Sequence, residues 1–379
     1  METKCVPGGK VNLWLLALVV ALVVGLGGTA AACGGEETTT TVAGATSTTT
    51  TLRLTTTTTT ASTTTTSVAP TTTTQAGLEI EITRDIPYMT QREGWDPPLL
   101  DVYAPREAGP WPLVVMLHGA TLNKTWLQAW GTKVAQRGAV VFVPDWGRAI
   151  SNYGSTITPA TIGGEELRAV LDGEIGDIAA IVRFARATGA RYGGDPGHLT
   201  LFGHSGGANE ALMEPFSGAS PSEGALESAG STIPESLVIF DADYLLAGDP
   251  MWDVWLAGDP SIMQLMTPWP SLGRRVDFPI TVIGSGDPNL SRELGDPWAA
   301  DSWLVVRDPS GDIRKGLEKL GAFEGDRITN ESIEQLLVER LKADGDTVTY
   351  VRLTDSSHMN LGPQGMESFL DALVPDKQP

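Results

Sequence analysis

Short apolar runs alternate with helical patterns from Leu78 onward, and this alternation limits the folds open to the chain. Runs such as 113–117 and 140–143 are continuously apolar, which is typical of strands buried on both faces. Between these runs, apolar residues recur at helical spacing, as in Leu171, Ile175, Ile178, Val182 and Ala185. We therefore predict an α/β fold: a mostly parallel sheet of about eight strands with helices on both faces. In such sheets, sites form beyond the carboxyl ends of the strands.

A G-x-S-x-G pattern is formed by Gly203, His204, Ser205, Gly206 and Gly207, directly after a predicted strand and before a predicted helix. The pattern alone is weak evidence, because glycine is common in this chain; the strand–turn–helix setting strengthens it. There the serine occupies a strained turn, and side chains at Gly203 or Gly207 would clash with neighbouring backbone. We predict that Ser205 is a nucleophile and that the Gly206 N–H faces a developing oxyanion.

The base can be sought among four histidines: His118, His198, His204 and His358. His198 begins a strand, at the end away from the expected site, and His204 is adjacent to the nucleophile and cannot turn back onto its hydroxyl. His358 follows the last predicted strand in a polar loop before the final helix. We predict that His358 is the general base.

A serine–histidine pair needs a third residue, a carboxylate that orients the imidazole, to complete a catalytic triad. This acid has more than one candidate. Asp287 is our prediction, because it follows the buried strand 280–283 in the loop after the seventh predicted strand. Asp241 or Asp243, after the strand 237–240, is the alternative. Asp287 also lies in a Gly-Asp-Pro sequence that recurs in the chain, and Asp before Pro is a common helix start, so a capping role stays open.

A second oxyanion donor is predicted in the loop that follows the strand 113–117. Gly119 lets the backbone turn there, and we assign the donor to the N–H of Ala120, with Gly206 as its partner and Thr121 as a further candidate. His118 in the same loop is expected to organise the loop rather than to take part in catalysis.

The N-terminus has the pattern of an export signal. Two lysines precede an apolar run at 11–26, and small residues follow up to Cys33. The end Ala-Ala-Ala-Cys-Gly resembles a bacterial lipoprotein signal, in which the cysteine becomes the lipidated first residue, although Ala30 replaces the usual leucine. We predict a signal at 1–33, lipidation of Cys33 and an extracytoplasmic, membrane-anchored protein. An uncleaved anchor helix and a secreted form are the alternatives.

Residues 34–77 are dominated by threonine and cannot bury enough apolar area to fold, so we predict a disordered linker. Two roles are open for this linker: a glycosylated stalk and a passive spacer. The catalytic domain is expected at 78–379, which is long enough for one large α/β domain.

Charge and cysteine content exclude several functions. The formal net charge of −20 argues against a nucleic-acid partner, because phosphate binding needs a basic patch. The two cysteines, Cys5 and Cys33, both precede the predicted domain, so we expect no disulfide or thiol nucleophile there. No Cys/His cluster has metal-ligand spacing, and no metal is expected. The sequence does not indicate the oligomeric state.

Taken together, these residues resemble the α/β-hydrolase superfamily over roughly 78–374. The segment Tyr-Gly-Gly-Asp-Pro at 192–196, followed by a strand and the serine turn, is similar to the carboxylesterase and dienelactone-hydrolase-like branches. Leu-Asp-Val-Tyr-Ala-Pro at 100–105 is similar to them as well. The resemblance implies ester hydrolysis through an acyl-enzyme, with no cofactor, and it leaves the substrate open.

Two insertions depart from a minimal hydrolase, at about 244–277 and 289–330, and both contain tryptophans: Trp252, Trp255, Trp269, Trp298 and Trp303. Two roles are open for these insertions. They form a cap over the site with an apolar acyl or aromatic pocket, or they simply pack onto the body of the domain.

We predict a hydrolase of small-molecule carboxylic esters. The alternatives are a peptidase or amidase with the same triad, and a catalytically inactive binding module, against which the intact triad argues.

Overall fold

The computed structural model of the protein describes residues 77–90, 98–119, 122–147, 164–217, 225–227, 230–242, 275–286, 303–305 and 327–375. The chain divides into two compact units, Met1–Thr71 and Thr72–Pro379, and every described residue belongs to the second. The predicted signal, Cys33 and the Thr-rich linker up to residue 76 lie outside the described residues. Within the described ranges, no helix combines the length and the apolar character needed to cross a membrane.

Eight strands form the main sheet, and two short strands form a separate pair. In chain order the strands are β1 Ile80–Pro87, β2 Leu99–Pro105, β3 Trp111–Leu117, β4 Val140–Pro144, β5 Gly194–His204, β6 Ser236–Phe240, β7 Ile280–Ser285, β8 Trp303–Val305, β9 Arg327–Thr329 and β10 Val348–Leu353. Among the described strands, β8 and β9 pair with each other and form a separate two-stranded sheet.

The main sheet has the order β1-β2-β4-β3-β5-β6-β7-β10. Strand β2 runs antiparallel to both of its neighbours, and every other pair from β4 to β10 is parallel. Because parallel strands end at the same edge, the loops after β3, β5, β6, β7 and β10 all leave the sheet on one side.

Five α-helices are described: α1 Gln128–Arg137, α2 Gly164–Gly189, α3 Gly206–Ser217, α4 Asn330–Ala343 and α5 Pro363–Leu373, with a 3₁₀ turn at Ala190–Tyr192. Helices α1 and α5 share one apolar cluster with Val114 and Met116 of β3. Helices α2, α3 and α4 share the other with Leu113 and Val115. Successive β3 residues point to opposite faces, so the sheet is covered on both sides.

This architecture confirms the predicted mostly parallel eight-stranded sheet with helices on both faces. One strand differs from the expectation: β5 begins at Gly194 rather than at 198, because Gly194 and Asp195 pair with Trp111 and Pro112 before a shift in register.

Most of the two predicted insertions lies outside the described residues. The tryptophans Trp252, Trp255, Trp269 and Trp298 are among the residues that the structure does not describe, and Trp303 is described only as part of β8. The expected cap therefore stays a prediction.

Candidate active site

Ser205 occupies a sharp turn between β5, which ends at His204, and α3, which begins at Gly206. Its backbone φ is 54°, in the left-handed region that side chains other than glycine rarely adopt. The Ser205 N–H donates to the Phe240 carbonyl at 3.0 Å, and the Ser205 carbonyl accepts from Ala208 N at 2.9 Å. These bonds to strand β6 and to helix α3 hold the strained turn from both sides.

The glycines on either side of this turn are required by close backbone contacts. A Cβ at Gly203 would lie 2.1 Å from the Gly207 carbonyl oxygen, and a Cβ at Gly207 would lie 2.4 Å from the His118 carbonyl oxygen. Neither contact leaves room for a side chain, which matches the steric reason for expecting glycine at both positions. A Cβ at Gly119 would lie 3.1 Å from Ser205 Cβ, so the loop after β3 passes directly beside the serine.

His358 lies in the loop between β10 and α5, and it pairs with a carboxylate. Its Nδ1 is 3.2 Å from Asp241 Oδ2, and both side chains are almost fully buried. Because a carboxylate only accepts, Nδ1 carries the hydrogen in this pair, and Nε2 is left as the basic nitrogen. This is the tautomer that a base acting on a serine hydroxyl needs.

Asp241 directly follows β6 and is held by the neighbouring strand β7. Its Oδ1 accepts the Ser285 N–H at 2.6 Å, and its own N–H donates to the Ile283 carbonyl at 2.9 Å. Its backbone φ is 45°, a second left-handed residue in the site. In the β5–β6 register His204 is opposite Phe240, so Asp241 is level with Ser205.

The acid contacting His358 in the described residues is thus Asp241, which the sequence analysis kept as an alternative to Asp287. Asp287 and Asp243 lie outside the described residues, as β7 is followed only as far as Gly286. Both Asp241 and Asp287 follow buried strands, and this shared signal could not separate them. Asp241 is singled out by its contact with His358, whose Nδ1 lies 3.2 Å from Asp241 Oδ2.

His204 supports the loop that carries His358. It is completely buried, and its Nε2 donates to the His358 carbonyl oxygen at 2.7 Å. The imidazole stacks on Trp126, with ring centroids 4.6 Å apart and an interplanar angle of 20°. Burial, helped by the nearby His358 ring, holds the pKa of His204 well below its usual range, so the ring is neutral. Sequence reasoning removed His204 as a base and did not foresee this supporting contact.

The His358 loop is also tied to the start of α5. Both oxygens of Asp355 accept backbone N–H groups there, from Gln364 and from Gly365, each at 2.8 Å. These two N–H groups lie in the first turn of α5, where they have no hydrogen-bond acceptor within the helix. The loop therefore cannot shift without breaking these bonds at the start of α5, and an isolated Asp eight residues before the helix gave no sequence signal for this role.

The loop after β3 is ordered around His118, as expected. His118 Nδ1 donates to the Gly119 carbonyl at 2.8 Å, and the Trp146 indole N–H donates to the His118 carbonyl at 3.0 Å. Burial lowers the pKa of His118 to about 4, so it is neutral near pH 7.

Of the predicted oxyanion donors, Ala120 and Thr121 lie outside the described residues. Gly206 is the first residue of α3, so its N–H has no hydrogen-bond acceptor within the helix.

The remaining histidine is far from the site. His198 is exposed near the opposite end of β5, where its Nδ1 is 2.7 Å from Asp195 Oδ2. Asp195 also accepts the Gly197 N–H at 2.9 Å, so this Gly-Asp-Pro copy closes a turn within β5 and starts no helix. Within the described ranges, no group of three or more His, Cys, Asp or Glu side chains is arranged to hold a metal ion.

No protein-family model matches the chain, and no curated protein matches it by sequence. Solved structures do resemble it. A bifunctional GH43-CE protein of Bacteroides eggerthii has a TM-score of 0.53 at 14% identity, over 78% of this chain and 38% of that one. Esterase B of Lactobacillus Rhamnosis has a TM-score of 0.49 at 15% identity, over 79% of this chain and 88% of that one. The thermophilic esterase Est2 of Thermogutta terrifontis has a TM-score of 0.46 at 17% identity, over 78% and 91% of the two chains.

At these identities the likeness concerns the fold. The chain spans 38% of the length of the bifunctional protein, so it corresponds to one part of that molecule. The sheet order, the single antiparallel strand β2 and the helices on both faces make the architecture an α/β-hydrolase fold.

Proposed function

We propose that this chain is a serine hydrolase that cleaves carboxylic esters, with Ser205 as nucleophile, His358 as base and Asp241 as acid. The observation that carries the proposal is the strained turn at Ser205, closed by two glycines that no other residue could replace, at the sheet edge where a buried His–Asp pair also lies. A structural turn has no need for a left-handed serine, whereas a nucleophile gains from being pushed out at the head of a helix.

In the first half of the reaction, Ser205 Oγ attacks the carbonyl carbon of the ester while His358 Nε2 takes the hydroxyl proton. The imidazole becomes positively charged, and Asp241, already bonded to Nδ1–H, stabilises that charge. The carbonyl π electrons move to the oxygen, which becomes an oxyanion. Collapse of this intermediate expels the alkoxide, which takes the proton from His358 and leaves as an alcohol.

In the second half, water replaces the alcohol. His358 Nε2 removes a proton from the water as it attacks the acyl-enzyme, and the proton returns to Ser205 Oγ when the acid product leaves. The Gly206 N–H at the start of α3 is our candidate donor to the oxyanion in both halves, and the Ala120 N–H remains the proposed second donor. Each donor contributes by facing charge that exists only in the transition state.

The preference for esters over amides rests on the sequence resemblance to carboxylesterases. The site geometry suits either substrate, because both pass through the same type of tetrahedral intermediate. A peptidase or amidase is therefore the alternative, and it is tested by measuring p-nitrophenyl esters of increasing acyl length beside matched amides.

The triad is tested by removing its members singly and together. Ser205→Ala and His358→Ala should each lower kcat by about 10⁴- to 10⁶-fold, and the double variant should be little worse than either, because a triad acts as a unit. Ser205→Ala should also abolish labelling by a fluorophosphonate probe. Ser231→Ala and His198→Ala, at exposed positions, are the matched controls and should behave like the wild type.

Full probe labelling of Ser205→Ala would show that another residue is the nucleophile. Single losses that simply multiply in the double variant would show that the two residues do not act together. An intact fold with neither labelling nor hydrolysis in the wild type would favour the inactive binding module.

A further inference from the structure

A second buried carboxyl group lies beside the proposed acid. Glu334 of α4 is 4% exposed, and its side chain enters the sheet edge between β7 and β10. Gly284 of β7 makes room for it: a Cβ at that position would lie 2.0 Å from Glu334 Oε2 and 2.8 Å from Glu334 Cδ. The carboxyl group is therefore packed directly against the backbone of β7.

The partners of Glu334 connect it to the triad. Tyr350 of β10 donates its hydroxyl to Glu334 Oε2 at 2.9 Å, and the Glu334 carboxyl lies within hydrogen-bonding reach of Asp241. Gly284 is followed by Ser285, whose N–H is bonded to Asp241 Oδ1. The two acids thus meet at the end of β7, and Asp241 is also bonded to His358.

Two buried carboxyl groups within hydrogen-bonding reach of each other share a proton, because two negative charges there repel strongly. Both oxygens of Asp241 already act as acceptors, Oδ1 for the Ser285 N–H and Oδ2 for the His358 Nδ1–H. Burial first, and then the charge of Asp241, raise the pKa of Glu334 well above its usual range, although the Tyr350 hydroxyl and the Arg352 charge oppose the rise. The proton therefore belongs on Glu334.

We propose that Glu334 is a positioning residue for the triad: its carboxyl, in the neutral acid form, donates a hydrogen bond to Asp241 and holds that carboxylate against His358. Asp241 then has three donors around it, from β7, from the His358 loop and from α4, and its carboxylate cannot rotate away from Nδ1. This inference rests on the proposed function, because Glu334 acts only through Asp241.

The protonation state is tested without any substrate. The chain has only four histidines, so the ring of His358 can be followed by NMR and identified with His358→Ala. Glu334→Gln should leave the midpoint of the His358 titration unchanged, because a neutral amide replaces a neutral acid. Loss of an ionised carboxylate would instead lower the midpoint by on the order of one pH unit, and that result would overturn the inference. Glu339→Gln, at an exposed position of the same helix, is the matched control.

The positioning role is tested by a double-mutant cycle. Glu334→Leu removes the donor and should lower kcat by roughly 10- to 100-fold with little change in KM, and Glu334→Gln should retain most activity. In an Asp241→Asn background, Glu334→Leu should cost nothing further, because the group it positions is already lost. Equal losses in both backgrounds would show a merely structural role and overturn the inference.

The experiments also separate this inference from the proposed function. Absence of hydrolysis and of Ser205 labelling in the folded wild type would overturn the function, and the NMR titration would still decide whether Glu334 is neutral. A labelled, active enzyme in which Glu334→Leu keeps full activity would overturn the inference alone. If Glu334→Leu does not fold, Glu334→Gln still decides through the titration.

Discussion

At the scale of single residues, backbone strain is concentrated in the site. Three non-glycine residues in the described ranges have positive φ angles, Asp85, Ser205 and Asp241, and two of them belong to the proposed triad. Each such residue costs on the order of 1–3 kcal/mol unless its surroundings compensate for it. The compensation is visible: Ser205 N is bonded to the Phe240 carbonyl, and Asp241 N is bonded to the Ile283 carbonyl.

The choice of the acid is tested by comparing Asp241→Asn with Asp287→Asn. Asp241→Asn should lower kcat by about 10⁴-fold, because the amide can no longer favour the Nδ1–H tautomer of His358. Asp287→Asn should leave kcat close to wild type, with circular dichroism confirming that both variants are folded. If Asp287→Asn were inactive and Asp241→Asn kept nearly full activity, the acid would be Asp287 instead.

At the scale of elements, helix α3 combines a first turn beside the proposed nucleophile with buried acids. It begins directly after Ser205 and packs between the sheet and α2, and Glu210 and Glu214 follow four residues apart. Glu210 is 5% exposed and Glu214 is 1% exposed. Burial raises the pKa of Glu210 to about 8 and that of Glu214 to about 7, so both are largely neutral at mildly acidic pH.

These raised pKa values predict that stability falls as the pH rises from about 4.5 to about 8. An unfolded glutamate titrates near 4.5, so between that pH and about 8 the folded chain binds the proton at Glu210 more tightly than the unfolded chain does. The contribution of Glu210 is complete below its unfolded pKa, and it is lost as the pH rises through the folded pKa.

Glu210→Gln should therefore flatten the pH dependence of the melting temperature across this window. Glu214 titrates in the same window, so the double variant Glu210→Gln/Glu214→Gln should flatten it further. Glu81→Gln, at an exposed position of β1, serves as the control and should leave the profile as in the wild type. A profile that keeps its slope in the double variant would show that these two acids do not cause it.

At the scale of the whole molecule, the site is assembled from segments that are far apart in the chain. Asp241 and His358 are 117 residues apart, and His204 and His358 are 154 residues apart. They meet because β5, β6, β7 and β10 are consecutive neighbours in the sheet and end at one edge. Loops from four strands therefore converge on a single point.

Attachment to the membrane belongs to the same scale and stays a prediction of the sequence. The small residues before Cys33 lead us to expect lipidation of that cysteine, which would tether the folded domain outside the cytoplasm. Metabolic labelling with a fatty-acid probe should tag the wild type and leave Cys33→Ser untagged. Cys5→Ser is the matched control, and equal labelling of the wild type and Cys33→Ser would contradict the lipoprotein interpretation.

Much of the fold was predictable from the sequence by itself. Apolar periodicity predicted the strands and helices of the sheet, because burial on one or both faces leaves a period that is local in the chain. The turn at Ser205 was equally predictable from the sequence, because the strand, the two glycines and the helix that define it are contiguous in the chain. His358 followed by elimination, because the chain has few histidines and only one follows the last strand.

The partners of these residues were decided by the tertiary structure alone. Asp241 and Asp287 carry the same local signal, and the contact of Asp241 with His358 exists only once β6, β7 and β10 are assembled in the sheet. His204 under the His358 loop, and Glu334 beside Asp241, come from the side chains that strand order and helix packing bring together across the sheet edge. Hydrogen bonds and charge interactions depend on distances of a few ångströms, and in this chain those distances join residues more than ninety positions apart.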